Sequence, residues 1–159
     1  FVIFPEPSSD LPILGADLVT LPGGDLIALD LQPVRKATDD YLERYYRSRL
    51  KGLHERYQGL LPAGGGEIPE AAAAFFSPYH LFARLPHDAP DLAEQRETCR
   101  QAFMDYLDAY LDLVTGKRLG EGGEGVRQAH LAYSRYRFEK DPARGMLKRL
   151  FGEEYTERL

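Results

Sequence analysis

The sequence predicts an α+β fold in which an antiparallel sheet lies between layers of α-helices, an α/β/α sandwich. Strand-like segments occupy the first part of the chain, a turn sequence joins two of them, and apolar residues at helical spacing fill most of the remainder. Two or three strands make a poor sheet by themselves. Because the chain opens inside a strand-like run, we expect further N-terminal strands before Phe1. We interpret residues 1–159 as a single domain that lacks its N-terminal part.

The predicted strands are short apolar runs separated by turn residues. Phe1–Phe4 has the composition of a strand end, and Leu14–Leu21 and Leu26–Leu31 are two further strand segments. The sequence Pro22-Gly23-Gly24-Asp25 separates these two, which predicts an antiparallel hairpin. Pro33 ends the last strand because proline has no amide hydrogen to donate to a ladder.

The first helix is predicted to begin after Thr38, a favourable N-cap residue followed by two aspartates. Apolar and aromatic residues then recur at helical spacing: Leu42, Tyr45, Tyr46, Leu50, Leu53, Tyr57 and Leu60. Such a stripe is more typical of a core than of a cofactor site. Pro62 and the glycines after it end the helix. Ala71–Phe76 is ambiguous, and Tyr79–Leu85 fits either a short helix or an extended segment.

A second long helix is predicted from about Asp91 to Thr115, with Gly116 as its C-terminal stop. Its predicted buried stripe consists of Cys99, Phe103, Tyr106, Tyr110 and Leu113. The Gly- and Glu-rich segment Gly120–Gly125 predicts a mobile loop after this helix.

Two further helices are predicted near the C-terminus, one over Val126–Glu139 and one from Pro142 with Asp141 at the N-cap. Charge is unevenly distributed here, because Val126–Gly152 carries a net charge of +5 whereas Pro86–Thr115 carries −5. The basic region is either a solvated helix face or a contact for an anionic ligand or an acidic protein.

Composition excludes several classes of protein. With 43% hydrophobic and 28% charged residues, the chain is typical of a soluble globular domain. The single cysteine excludes an internal disulfide framework and favours a reducing, cytoplasmic compartment. No apolar run is long enough to span a membrane, and the net charge of −5 argues against nucleic acid as a partner.

Asp17 is the first candidate for a working acid. It lies in a strand-like run and faces the same way as Ile13, Val19 and Leu21. A carboxylate among apolar neighbours is costly unless it is paired, protonated or used in chemistry. The alternative is a buried structural acid bonded to the backbone or to an arginine.

The other titratable residues give weaker signals. Asp30 lies on the opposite strand face from Ile27 and Leu29, which favours a structural role at a strand end. Cys99 fits a small core residue. The four histidines, His54, His80, His87 and His130, have no metal-ligand spacing. We expect His54 and His87 at the surface and His130 near a possible pocket, as a weak candidate for a proton relay.

Several sequence pieces together resemble the ferredoxin-dependent bilin reductases, in the family's order and over nearly the whole chain. They are Phe4-Pro5-x-Pro7 with Leu11-Pro12-Ile13-Leu14-Gly15-x-Asp17, Pro22-Gly23-Gly24 with Leu29-Asp30-Leu31-Gln32-Pro33, Phe76-Ser77-Pro78-Tyr79-x-Leu81-Phe82, and Tyr133-x-x-Tyr136 with Lys140-Asp141 and Leu150-Phe151-Gly152-Glu153-Glu154-Tyr155-Thr156-Glu157. The first and third pieces look most like the phycocyanobilin:ferredoxin oxidoreductase branch and its phage-associated relatives.

The resemblance implies reduction of biliverdin to phycocyanobilin or phycoerythrobilin through bilin radicals. The partners would be biliverdin and reduced [2Fe–2S] ferredoxin, with no bound metal or flavin. The resemblance makes Asp17 the family's central acid, and it places a histidine of the preceding strand just ahead of Phe1. It also makes Asp141 a second acid, although Lys140-Asp141-Pro142 departs from the family's usual Asn-Asp-Lys.

Two bilin propionates and an acidic ferredoxin would both need basic partners. Arg84, Arg135 and Arg137 are candidate propionate ligands because guanidinium groups match carboxylates. Lys140, Arg144, Lys148 and Arg149 are candidates for a ferredoxin-facing rim. Two alternatives stay open, a non-catalytic bilin carrier and a reductase of a chlorophyll-derived linear tetrapyrrole. We expect a monomer.

Overall fold

The computed structural model describes residues 1–34, 37–64, 73, 75–116, 123–140 and 143–158. The four strands are β1 (Val2–Ile3), β2 (Ile13–Leu21), β3 (Gly24–Gln32) and β4 (Leu81–Pro86). The helices are α1 (Asp39–Leu42), a π-helical segment (Glu43–Arg47), α2 (Lys51–Leu60), α3 (Leu92–Thr115), α4 (Glu124–Lys140), α5 (Ala143–Phe151) and α6 (Glu153–Thr156). None of these described helices is long and apolar enough to cross a membrane.

The strands form one antiparallel sheet in the order β1-β2-β3-β4. The predicted hairpin is confirmed, because Leu21 pairs with Gly24 and only Pro22 and Gly23 lie between the strands. Gly23 has φ +87°, which glycine adopts without steric cost. β3 ends at Gln32, directly before Pro33, as the sequence predicts.

One face of the sheet, here called the core face, packs against α1 to α3. Paired residues on neighbouring strands share a face, and the buried apolar residues of this one are Leu14, Ala16, Ile27, Leu29, Leu31, Leu81, Ala83 and Leu85. Tyrosines from the helices complete the cluster: Tyr41, Tyr45, Tyr46, Tyr57, Tyr106 and Tyr110. The interpretation of the tyrosine stripe as core is therefore confirmed.

The first predicted helix is not continuous. Thr38 caps α1 as expected, since its Oγ1 accepts from the Tyr41 amide at 3.4 Å. A π-helical segment follows α1, and a turn separates it from α2. The wider π-turn lets Tyr45 and Tyr46 both be buried, with their hydroxyls donating to Asp10 Oδ1 at 2.5 Å and to the Leu31 carbonyl at 2.8 Å.

The later segments follow the predictions with small corrections. Tyr79–Leu85 resolves as the strand β4, whose residues alternate between buried and exposed. The stripe of α3 is buried except for Phe103, which is half-buried and packs edge-on against Phe1 at 5.6 Å. Glu124 and Gly125, predicted in a mobile loop, begin α4 instead.

Candidate functional site

The other face of the sheet, here called the open face, is apolar and largely uncovered between β2 and β4. Asp17 pairs with Ala28, which pairs with Phe82. The next row places Val19 beside Leu26 and Arg84. These side chains are half-buried or exposed, whereas their core-face neighbours on β3 and β4 are buried; on β2, the core-face residues Leu18 and Thr20 are exposed. The result is a broad apolar surface that carries one carboxylate and one guanidinium.

Asp17 is exposed on this surface. The sequence predicts that its side chain shares a face with Ile13, Val19 and Leu21, and the register of β2 places all four there. The expectation of a desolvated carboxyl is wrong for this structure, because nothing among the described residues covers the sheet at Asp17.

Arg84 lies on the edge strand β4, two strands away from Asp17. The strand spacing and the two-residue offset put their backbones roughly 12 Å apart. Arg84 is exposed and forms no ion pair with another described residue. Its neighbour on this face, Phe82, lies against Gly64, whose missing side chain leaves room for the ring. A guanidinium and an aromatic ring are thus presented together at one rim.

Helix α4 covers the opposite end of the open face. Val126 and Tyr133 pack with Ile13 and Val34 in a small buried cluster. His130, one turn before Tyr133, is buried and its Nε2 lies 3.2 Å from the Ser9 carbonyl oxygen. The open face is therefore closed by α4 at the Ile13 end and uncovered around Asp17, which makes a cleft with the sheet as its floor and α4 as its wall.

Comparison with known proteins identifies the family. The sequence profile described as ferredoxin-dependent bilin reductase matches residues 1–159. The chain belongs to this family. It is 48% identical over 161 residues to the phycoerythrobilin:ferredoxin oxidoreductase of Parasynechococcus marenigrum (strain WH8102) and 47% identical over 160 residues to that of Nostoc punctiforme (strain ATCC 29133 / PCC 73102). Each match covers 99% of this chain and 60% of the relative, so the chain spans well under two thirds of these bilin reductases.

The fold matches a bilin reductase of known structure. Tomato phytochromobilin synthase, solved in complex with biliverdin, superposes with a TM-score of 0.85 at 33% identity. The match covers 99% of this chain and 56% of the tomato chain. The predicted antiparallel sheet with helices and the resemblance drawn from the sequence are both confirmed.

The structure separates the three candidate arginines. Arg84 lies on the open face itself. Arg137 follows Tyr133 by one helical turn and is half-buried, so it extends the sheet-facing stripe of α4. Arg135 is exposed, and its position two residues after Tyr133 places it on a different side of the helix. The second predicted acid, Asp141, lies outside the described residues.

The remaining buried acids have structural partners. Asp30 is buried and accepts from the Ser77 amide at 2.8 Å and the Ser77 hydroxyl at 2.5 Å, and desolvation raises its pKa to about 6. This supports the structural role predicted for it. His87 is bonded to the buried Asp25, and Cys99 is buried with its pKa raised to about 11 by burial.

An open groove of about 270 Å³ lies on the other side of the sheet, lined by Leu18, Val19, Thr20, Asp25, Ile27, Leu85, Arg96, Cys99, Arg100 and Phe103. Asp17 and Arg84 do not line it. Within the described part of the chain, no group of three or more His, Cys, Asp or Glu side chains could hold a metal ion. The groove also combines apolar residues with the exposed Arg96 and Arg100, but both arginines are paired with carboxylates, whereas Arg84 on the open face forms no ion pair with a described residue.

Sequence reasoning missed Phe82 as a member of this surface. Its motif predicts no role for the ring, because Tyr79–Leu85 fits a helix and an extended segment equally. The alternation of Leu81, Ala83 and Leu85 with Phe82 and Arg84 was the available signal, since a strand places the second set together on one face.

Proposed function

We propose that this chain provides the bilin-binding face of an enzyme that reduces biliverdin to a phycobilin with electrons from ferredoxin. The supporting observation is the open face, a broad apolar surface with one acid near its centre and one guanidinium at its rim. Membership of the bilin reductase family and the biliverdin complex of the tomato relative support the same conclusion.

A linear tetrapyrrole is flat, apolar over most of its area and anionic at its two propionates. In our proposal its rings lie against Val19, Leu26, Ala28 and Phe82. Burial of this apolar area contributes roughly 25 cal/mol per Å², and an aromatic ring such as Phe82 favours offset or edge contacts with another ring. The α4 wall limits how far the ligand slides toward Ile13.

The propionates are the groups that would fix the ligand's orientation. Arg84 is the best-placed partner, because its guanidinium is exposed at the rim and not held by a described carboxylate. Arg137 is the second candidate, from the α4 wall. Arg135 remains a candidate by sequence but lies on another side of the helix. A bidentate arginine–carboxylate contact is roughly twice as strong as a neutral hydrogen bond.

Asp17 is proposed as the proton donor. When bilin rings cover it, water is removed from the carboxyl and its charged form becomes less favourable. Reduction of one bilin double bond consumes two electrons and two protons. Ferredoxin supplies the electrons singly, so the bilin passes through a radical state, and Asp17 supplies one proton and is reprotonated from solvent. Asp141 is retained as the candidate for a second proton.

Ferredoxin is proposed to approach the basic side of α4 and α5. Lys140 and Arg149 are exposed there. Lys148 is less available, because its Nζ is paired with Glu153 at 2.9 Å and with Glu157 at 3.0 Å. Attraction between these cations and an acidic ferredoxin raises the encounter rate and weakens with salt.

The test is anaerobic absorbance spectroscopy of the protein that contains this chain, mixed with biliverdin and then with reduced ferredoxin. Passage from a bound-biliverdin spectrum through radical bands to a product of shorter conjugation would support the reductase, and chromatography would name the product. A stable biliverdin complex that ignores reduced ferredoxin would overturn the reductase proposal and favour a carrier.

A matched pair of variants tests the ligand's orientation. Arg84→Gln should weaken biliverdin binding about tenfold, since a charge-assisted bond is lost. Arg135→Gln should leave the affinity within twofold of the parent. Equal effects of the two substitutions would contradict the assignment of Arg84 to a propionate.

A further inference from the structure

We propose that Tyr133 is a positioning residue, whose hydrogen bond to Gln32 fixes α4 over the open face and so sets how a bilin lies against Asp17. The proposal rests on the proposed function for its ligand. The supporting observation is a three-residue contact of Gly15, Gln32 and Tyr133. Each belongs to a different sequence motif, and none of the three is a proton donor or a propionate ligand in the proposed function.

Gly15 makes room for the Gln32 side chain. It lies on the open face between Ile13 and Asp17, in the strand next to the one that carries Gln32. A Cβ at Gly15 would lie 3.1 Å from Gln32 Oε1 and 3.3 Å from its Cδ. The amide therefore lies flat across β2, one step along the strand from Asp17, and only glycine permits this close approach without displacement.

Tyr133 meets that amide from the helix side. Its hydroxyl donates to Gln32 Oε1, and both residues are buried. Its ring packs edge-on against Phe4 at 5.9 Å and Phe75 at 5.8 Å. Since the ring is confined by neighbours, the hydroxyl reaches the amide only when α4 keeps this position.

The remaining contacts of α4 with the sheet restrict its position less. Val126 and the Tyr133 ring pack against Ile13 and Val34, and apolar packing tolerates small shifts. His130 bonds to the Ser9 carbonyl, which belongs to the segment before β2 and not to the sheet. Within the described part of the chain, the Tyr133–Gln32 bond is thus a directional link between the wall of the cleft and its floor, and Arg137 follows one turn later.

Loss of this hydrogen bond would change the geometry of the cleft more than the packing of the core. Without the Tyr133 hydroxyl, the buried Gln32 Oε1 loses its hydrogen-bond donor, so the amide can turn toward Asp17 and α4 can shift. Burial of an unpaired amide oxygen is unfavourable, which drives one of these changes. Both alter the space and the polar surroundings that the bilin meets.

The experiment compares Tyr133→Phe, Gln32→Met, the double variant and Gly15→Ala in the full protein. We expect each single substitution to weaken biliverdin binding by about tenfold and to change the circular dichroism of bound bilin. The double variant should be no worse than either single variant, because both remove the same bond. Tyr136→Phe and Gly52→Ala are the controls. Tyr136 stacks on Phe75 through its ring, and nothing lies within 4 Å of a Cβ at Gly52.

Amide hydrogen exchange of the ligand-free protein provides a readout that does not depend on bilin. Tyr133→Phe should speed exchange in Glu124–Lys140 about tenfold and leave Leu92–Thr115 unchanged. Unchanged exchange, unchanged dichroism of bound bilin, or additive losses in the double variant would each overturn the proposal. If the parent protein binds no biliverdin, the proposed function fails, and the exchange data alone decide whether Tyr133 positions α4.

Discussion

The core side of the sheet and the uncovered part of its open face treat their polar groups in opposite ways, although Asp30, which lies on the open face beside Gly15, is buried and bonded to Ser77. On the core side, Asp25 is bonded to Arg96 at 2.7 Å and to His87 at 3.0 Å, and the hydroxyls of Tyr45 and Tyr46 donate to a carboxylate and to a backbone carbonyl. Among the described residues, the buried Tyr110 hydroxyl is an exception with no hydrogen-bond partner. On the open face, Asp17 and Arg84 are exposed, and Arg84 forms no ion pair among the described residues. Paired groups hold a fold together, whereas a carboxylate and a guanidinium left available on an apolar surface are suited to a ligand.

The largest expected contrast comes from two leucines of β3 that face opposite ways. Leu29 is buried in the core, so Leu29→Ala should lower the free energy of unfolding by about 2–5 kcal/mol. Leu26 is half-buried on the open face, so Leu26→Ala should cost only about 1 kcal/mol but weaken biliverdin binding. Denaturant unfolding and absorbance titration measure the two effects. Equal losses of stability would contradict the division between the faces.

Asp30 should make the protein less stable as the pH rises from about 4 to 6. Its pKa is raised from 3.8 to about 6 by burial, so in that window the unfolded chain has released a proton that the folded chain still holds. Asp30→Asn removes this pH-dependent contribution to stability. Relative to the parent, the variant's free energy of unfolding should therefore rise by up to about 3 kcal/mol between pH 4 and pH 6. The lost hydrogen bonding to Ser77 lowers the variant's stability by the same amount at every pH.

Denaturant titrations of the two proteins at several pH values between 4 and 7 measure this difference. Parallel stability curves would show that Asp30 does not titrate there. Asp40→Asn, at an exposed helix position, is the matched control for the substitution itself.

Asp25 should show the opposite dependence on pH, with a smaller effect. Hydrogen bonds from Arg96 and His87 lower its pKa well below the usual 3.8. The stability that it adds is complete above 3.8 and is lost as the pH falls below that value toward the folded pKa. Asp25→Asn should therefore cost about 2 kcal/mol at pH 7 and less at pH 3. Urea unfolding at both pH values tests this, and an equal cost at both would contradict it.

Local signals in the sequence were enough for the hairpin and for the long helix. Pro22 and Gly23 determine a tight turn by their own backbone preferences, and the stripe of α3 repeats over 24 residues. The π-helical segment was not predicted, because it depends on contacts with distant parts of the chain. In the π-helical segment, the hydroxyls of Tyr45 and Tyr46 donate hydrogen bonds to Asp10 and to the Leu31 carbonyl. No local sequence pattern predicts these contacts.

The candidate site was predicted only in part, because local signals place single residues but do not show which distant segments meet. The two-residue periodicity of a strand was enough to place Asp17 on the same face as Val19. The match between guanidinium and carboxylate groups was enough to make Arg84 a candidate propionate ligand. The exposure of Asp17 was not predictable, because the alternation of a strand does not tell which face is covered. The contact of Gly15, Gln32 and Tyr133 was not predictable either, because Tyr133 and Gln32 are 101 positions apart in sequence.

The most direct test of the account is Asp17→Asn, compared with Asp88→Asn at another exposed position. We predict that Asp17→Asn unfolds at the same denaturant concentration as the parent and binds biliverdin within about twofold. Its turnover with reduced ferredoxin should fall at least about 100-fold, because a positioned general acid typically contributes that much or more. Asp88→Asn should behave like the parent. Turnover of Asp17→Asn at the parent rate would contradict the claim that the open face places its acid for proton transfer to the bilin.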